Sequence, residues 1–207
     1  MRRLVGEHIY ESGYTKIACH FDELTKSEYA TMLRNRVNNF VVVNKRIMNP
    51  IDMIDEKCYY LWINDPAGEM VANVRIQPNH VAMYTDPIRK YCIWDRAWIT
   101  DPTVSLFPIP EFSNANAYIW TPDWIKRING CSNSIMDMYE DTHSIIMFFQ
   151  KHMKGLRFLE SKPDKWGFDG FKWVYEEIPL EEAQPIIRKY IESQIESELQ
   201  GTTTLTA

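Results

Sequence analysis

The twenty residues CYYLWINDPAGEMVANVRIQ, Cys58 to Gln77, read as two strands joined by a turn. Cys58 to Ile63 and Glu69 to Gln77 are rich in the aromatic and β-branched side chains that suit a pleated surface. Between them stands Asp65-Pro66-Ala67-Gly68, built from the residue types that turns demand. Upstream, Tyr29, Leu33, Arg36, Val37 and Phe40 recur at helical spacing and share one face. Thr25-Lys26-Ser27-Glu28 is a capping-box pattern that opens this helix, and the β-branched run ending at Val43 closes it. Downstream, Tyr91 to Ile99 is a strand apolar on both faces. Strict alternation puts Tyr91, Ile93, Asp95, Ala97 and Ile99 on one side, and Cys92, Trp94, Arg96 and Trp98 on the other.

Three arginines, Arg36, Arg75 and Arg96, therefore lie among core-type residues, with Asp52, Asp55 and Asp95 as nearby carboxylates. A buried guanidinium without an anion is very costly, so each arginine calls for a partner or a ligand. Structural ion pairs account for such a pattern as readily as a polar site does.

The rest of the chain reads more plainly. Tyr14 to Phe21 suits a first strand, and a proline-marked stretch from Phe107 past Trp120 and Trp124 suits a loop or short helix. Ser132 to Met153 carries an apolar side at helical spacing and reads as a long helix ended by Gly155. Arg157 to Ser161 and Phe171 to Ile178 read as strands, and an acidic amphipathic helix closes the domain near Leu199. With 207 residues, the expectation is one domain over 1–200 and a frayed tail over 201–207. A net charge of −5 argues against a general nucleic-acid binder. Cys19, Cys58, Cys92 and Cys131 form no CxxC pair, which speaks against zinc and for buried thiols in a reducing cytoplasm. Neither a signal peptide nor a membrane-spanning run is evident.

The order helix, strand meander, long helix, strand, strand resembles the GCN5-related N-acetyltransferase fold: an α/β/α sandwich around a mixed, mostly antiparallel sheet. Within that fold the chain is similar to the acyl-homoserine-lactone synthases of the autoinducer (LuxI) type. The resemblance rests on Leu33, Arg36 and Phe40 in the first helix, the acids Asp52 and Asp55 three apart, and Arg75-Ile76-Gln77-Pro78 for the family's Arg-Leu-x-Pro. It rests further on Trp94-Asp95-Arg96-Ala97-Trp98, where the family has an acid, an arginine and an aromatic. Arg46 stands where the family has a tryptophan, and Asp95 and Arg96 do not keep the family's acid-to-arginine spacing.

The resemblance implies an acyltransferase that joins an acyl group from acyl carrier protein or acyl-CoA to the amine of S-adenosylmethionine. No permanently bound cofactor or metal is implied. Asp52 and Asp55 would hold the positive parts of S-adenosylmethionine, and Arg36 or Arg75 its carboxylate. Phe40, Trp94 or Trp98 would lie against the adenine or the sulfonium. Asp95 is the candidate base, with Arg96 beside it. Lys151, Lys154 and Arg157 form a basic stretch suited to an acidic carrier protein. The alternatives are another acyltransferase of the fold using a coenzyme A thioester, or a non-catalytic module that keeps the nucleotide pocket.

Overall fold

The computed structural model describes residues 6–43, 45, 49–78, 90–101, 104–105, 117–131, 133–139, 156–163 and 171–178, and residues 181, 182, 185, 189, 192 and 196 of the C-terminal segment. Its frame is one eight-stranded sheet in the order β1-β2-β3-β4-β5-β8-β10-β9. The strands are β1 (Gly6–Ile9), β2 (Thr15–His20), β3 (Tyr59–Asn64), β4 (Met70–Gln77), β5 (Tyr91–Ile99), β8 (Asn133–Tyr139), β9 (Leu156–Pro163) and β10 (Phe171–Glu177). Strands β6 (Val104–Ser105) and β7 (Ala117–Tyr118) make a separate two-residue pair. All ladders of the large sheet are antiparallel except β5 with β8.

The β3–β4 hairpin forms as its residues dictate. Asp65 caps the turn by accepting from the amides of Ala67 and Glu69, and Gly68 takes the left-handed conformation, φ 88°, that closes it. Helix α1 (Lys26–Arg36) starts at the expected capping box. Thr25 Oγ1 accepts from the Glu28 amide at 3.2 Å, and Glu28 Oε2 accepts from the Thr25 amide at 2.7 Å. After Arg36 the helix widens into a π-type segment over Val37–Val43, which includes the half-buried Phe40.

Successive residues of β3 sort the core into two layers. Tyr60 and Trp62 pack with Met32 of α1, Cys19 and Cys58. Leu61 and Ile63 face the other way, into a larger cluster with Val74, Ile76, Trp94, Trp120 and Ile125. Ile125 belongs to α2 (Asp123–Ile128), so helices cover both faces. The four cysteines are buried thiols, none in a disulfide.

Two expectations change. Asn133–Tyr139 is a strand, not the start of a long helix; the remainder of that expected helix lies outside the described residues. Ile135, Met138 and Tyr139 satisfy a helical period, but β8 is an inner strand with neighbours on both sides, and pairing overrides the pattern. Strand β5 does not alternate throughout. Arg75 faces Asp95 and Asn73 faces Trp98, so three steps on β5 match two on β4. The extra residue is a β-bulge at Arg96–Ala97, with Arg96 at φ 54°. The bulge returns Trp98 to the same side as Asp95.

The parallel ladder between β5 and β8 is short, running only from Tyr91↔Asn133 to Trp94↔Met136. Beyond it β5 continues to Ile99 against β4, while β8 continues to Tyr139 against β10. The sheet thus parts between β5 and β8 beside the bulge. No described helix is long and apolar enough to cross a membrane.

Candidate active site

On the α1 side of the sheet, Arg75 of β4 is the hub of a charged cluster. Its Nε donates to Asp95 Oδ1 at 2.7 Å, and its Nη2 donates to Asp95 Oδ2 and to Asp52 Oδ2, the latter at 3.2 Å. Its Nη1 donates to Asp55 Oδ1 at 2.7 Å. Period-two geometry puts Gln77 on the same face, where its Nε2 donates to Asp95 Oδ2 at 2.7 Å. Arg36, the last residue of α1, reaches the same cluster. Its Nη1 donates to the Pro50 carbonyl at 2.7 Å and sits 3.2 Å from Asp55 Oδ2.

Asp55 is the most heavily engaged carboxylate. Besides the two guanidiniums it accepts from Tyr29 Oη at 3.0 Å, Tyr60 Oη at 2.8 Å and the Asp52 amide at 3.0 Å. Burial alone would raise its pKa, but Arg36, the Asp52 amide, Arg75 and Tyr60 outweigh this and hold the carboxyl well below its usual range. Burial and the neighbouring Asp55 charge push the Tyr29 hydroxyl up to about 12, so it remains a donor. Burial also opposes ionisation of Asp95, and again Arg75 prevails and lowers its pKa. Arg75 is shifted upward in turn: burial disfavours its charge, and Asp95 more than compensates.

Exposure divides the cluster in two. The side chains of Arg36, Arg75 and Asp55 are 0 %, 1 % and 2 % exposed, whereas those of Asp95, Arg96 and Asp52 are 18 %, 25 % and 28 % exposed. Arg96 Nη2 stands 3.6 Å from Asp52 Oδ2. The alternation expected along β5 would have turned Arg96 away from this side; the bulge and its left-handed conformation let it reach Asp52. Among the described residues, three guanidiniums balance three carboxylates in this cluster.

Of the residues expected at a site, the structure brings together Arg36, Asp52, Asp55, Arg75, Asp95 and Arg96, and it places Trp98 on their face. Trp94 is separated from them. It is buried on the opposite face, where its indole donates to Thr121 Oγ1. Arg157 is exposed at the start of β9 and pairs with Glu176 at 3.4 Å and Glu182 at 2.9 Å. Lys151 and Lys154 lie outside the described residues. Tyr29, Tyr60 and Gln77 were not foreseen, although Gln77 follows Arg75 by two in a strand and that spacing alone puts them side by side. Behind the sheet a second buried polar group joins Glu177 to the Thr121 amide at 3.0 Å and to Lys126 Nζ at 3.3 Å; burial raises the Glu177 carboxyl.

No family model and no curated protein matches the sequence. Solved structures do match in three dimensions. An acyl-CoA N-acyltransferase from Pseudomonas aeruginosa superposes with a TM-score of 0.50 at 12 % identity, over 79 % of this chain and 99 % of that one. A GNAT-family acetyltransferase from Staphylococcus aureus gives 0.50 at 7 % identity, over 78 % and 98 %. TofI, solved in a ternary complex with an inhibitor and MTA, gives 0.49 at 13 % identity, over 78 % and 90 %. At such identities the likeness shows the fold: the chain has the α/β fold of the GCN5-related acyltransferases.

Proposed function

We propose that this chain is an N-acyltransferase that moves an acyl group from a thioester, carried by acyl carrier protein or coenzyme A, to the amine of S-adenosylmethionine. Lactone formation then releases methylthioadenosine. One observation carries this reading: Arg36, Asp52, Asp55, Arg75, Asp95 and Arg96, the charged positions on which the family resemblance rests, converge on one cluster beside a bulge and a parting of the sheet.

The roles follow from exposure. Arg36, Asp55 and Arg75 are closed to solvent and set the positions of the outer groups. Asp52 and Asp95 are the carboxylates of the cluster that keep exposed surface, so an ammonium arriving from solvent would meet them rather than Asp55. Trp98 and Phe40 would flank the adenine or sulfonium, the latter by cation–π attraction. The amine must lose a proton before it attacks the thioester carbon. Asp95, whose pKa Arg75 lowers, or the more exposed Asp52 would take that proton, directly or through water. A backbone amide of the bulge, freed from the ladder, would polarise the thioester carbonyl. As the nitrogen–carbon bond forms, the carbon–sulfur bond breaks and the thiolate leaves.

The test is to incubate purified protein with S-adenosylmethionine and a panel of acyl thioesters and to record mass spectra. Methylthioadenosine with an N-acyl lactone is the expected outcome. Acylation of some other amine without methylthioadenosine would point to a different acyltransferase, and binding without any turnover to a non-catalytic module.

A further inference from the structure

Gln77 uses one end of its amide and leaves the other idle. Its Nε2 donates to Asp95 Oδ2 at 2.7 Å, while its Oε1 has no hydrogen-bond partner among the described residues, although the residue is only 6 % exposed. The network fixes which end is which. Asp95 accepts from Arg75 Nε and Nη2 as a carboxylate, so it takes the donor end of the neighbouring amide and turns the carbonyl end away. Leaving a buried acceptor unmet is costly. Asp95 does not require the glutamine, because Arg75 already grips both of its oxygens. A methionine or leucine would fill the position without that cost. Nor does the likeness to the autoinducer synthases account for it, since position 77 is the open one in Arg-Leu-x-Pro.

The place of Gln77 in the sheet supplies a reason. It pairs with Ile93, and two residues further along β5 Asp95 is the first beyond the parallel ladder with β8, which ends at Trp94↔Met136. Oε1 and Nε2 belong to one amide, so a donor received by Oε1 comes to stand beside the Asp95 carboxylate, where the opening between β5 and β8 begins. We propose that Gln77 is a catalytic residue of the transfer: its Oε1 accepts an N–H from the attacking amine and so aims the nitrogen lone pair at the thioester carbon. The inference rests on the proposed N-acyl transfer, whichever amine is acylated. An ammonium carries three hydrogens. One is lost before attack, and a second is lost to a carboxylate once the nitrogen–carbon bond has formed and as the thiolate leaves. The third stays on the nitrogen of the product amide. Carboxylates suit the two that must be removed. They do not suit the third, because a further anion would stabilise the ammonium and oppose its deprotonation. A neutral amide oxygen holds that hydrogen without this penalty and fixes the direction of attack.

The experiment compares wild type with Gln77→Met, which keeps length and burial but offers no amide oxygen, and with Gln77→Glu, which keeps an acceptor but adds a charge. Initial rates with S-adenosylmethionine, and with a panel of other amines, are measured across pH beside thermal melting. Gln77→Met should lower kcat at least about 10-fold while changing the melting temperature little and leaving the pH profile in place. Gln77→Glu should move the pH of half-maximal rate upward by about one unit, since its carboxylate favours the ammonium. A glutamine that only props Asp95 would not give this pair of results. A kcat for Gln77→Met within about twofold of wild type, or a Gln77→Glu profile that coincides with wild type's, would overturn the inference and leave the proposed function in place. The expected pair of results on an amine other than S-adenosylmethionine would support the role of Gln77 and remove the proposed acceptor. Wild-type protein that acylates no amine would overturn both.

Discussion

Replacing Asp55 by asparagine tests whether the inner half of the cluster holds the fold or merely decorates it. Asp55 accepts from Arg36, Arg75, Tyr29, Tyr60 and the Asp52 amide, and its side chain is 2 % exposed. Asparagine keeps the shape but removes the charge, and its amide nitrogen turns a donor toward groups that are themselves donors. Arg36 is left with no carboxylate among the described residues, while Arg75 retains Asp52 and Asp95. Breaking a buried pair from one side costs about 3–5 kcal/mol, and for a chain of this size about 2–4 °C of melting temperature accompanies each kcal/mol. The expected fall in Tm at pH 7 is therefore roughly 6–20 °C, read by thermal denaturation. Linkage gives a second reading. The folded-state pKa of Asp55 is depressed below its ordinary 3.8, so its contribution is complete above that value and is lost as pH falls toward the folded pKa. The gap between wild type and Asp55→Asn should narrow steadily below about pH 4. A Tm within about 2 °C of wild type at pH 7 would refute the reasoning, because it would mean that Arg36 needs no buried anion.

The tryptophans of β5 should separate by face. Trp94→Phe removes the bond to Thr121 and should lower Tm without a selective effect on acceptor affinity, whereas Trp98→Phe should weaken S-adenosylmethionine binding more than it lowers Tm; the reverse order, by calorimetry and melting, would exchange their roles. Lys16 donates to the Trp120 carbonyl at 3.2 Å, and burial lowers its pKa from 10.5 to about 8, against the pull of Glu177. A base with a depressed folded pKa binds fewer protons folded than unfolded between those values, so this group's contribution to stability should rise from pH 8 to 10.5. Urea titrations of wild type and Lys16→Met should then show wild type gaining on the variant across that range; a constant difference would exclude the shift.

The hairpin, α1 and β5 were legible because local chemistry and global pairing agree there. Thr25 and Glu28 form the capping box their spacing announces, Asp65 and Gly68 the turn, and Tyr91 to Ile99 is the strand observed. The segment from Asn133 to Tyr139 was misread because seven residues with apolar groups at 135, 136, 138 and 139 fit either period. What decides for a strand is the ladders it makes with β5 and β10, contacts far apart in sequence. The charged members of the site were visible as arginines and aspartates out of place in apolar company. The tyrosines that complete it were not, since Tyr29 and Tyr60 sit among ordinary core residues and reveal a role only when Asp55 is brought beneath them.

The bulge shows why the same strand could be read correctly as an element and incorrectly as a surface. A strand's faces follow from its period, and one inserted residue inverts everything after it. In β5 the insertion falls between Asp95 and Trp98, so the alternation holds for Trp94 and Asp95 and reverses for Trp98. No residue in Asp95-Arg96-Ala97-Trp98 announces this: neither glycine nor asparagine marks the left-handed position, which an arginine occupies. The consequence is chemical. With regular alternation, Arg96 would point into the apolar layer behind the sheet, and Asp52 would lose its neighbour at the rim. Moving one residue out of register instead puts Arg96 at the edge of the cluster, next to the place where β5 and β8 part. The strained residue and the exposed ion pair thus have one origin, and a deletion of Ala97 that restored the alternation should abolish both together.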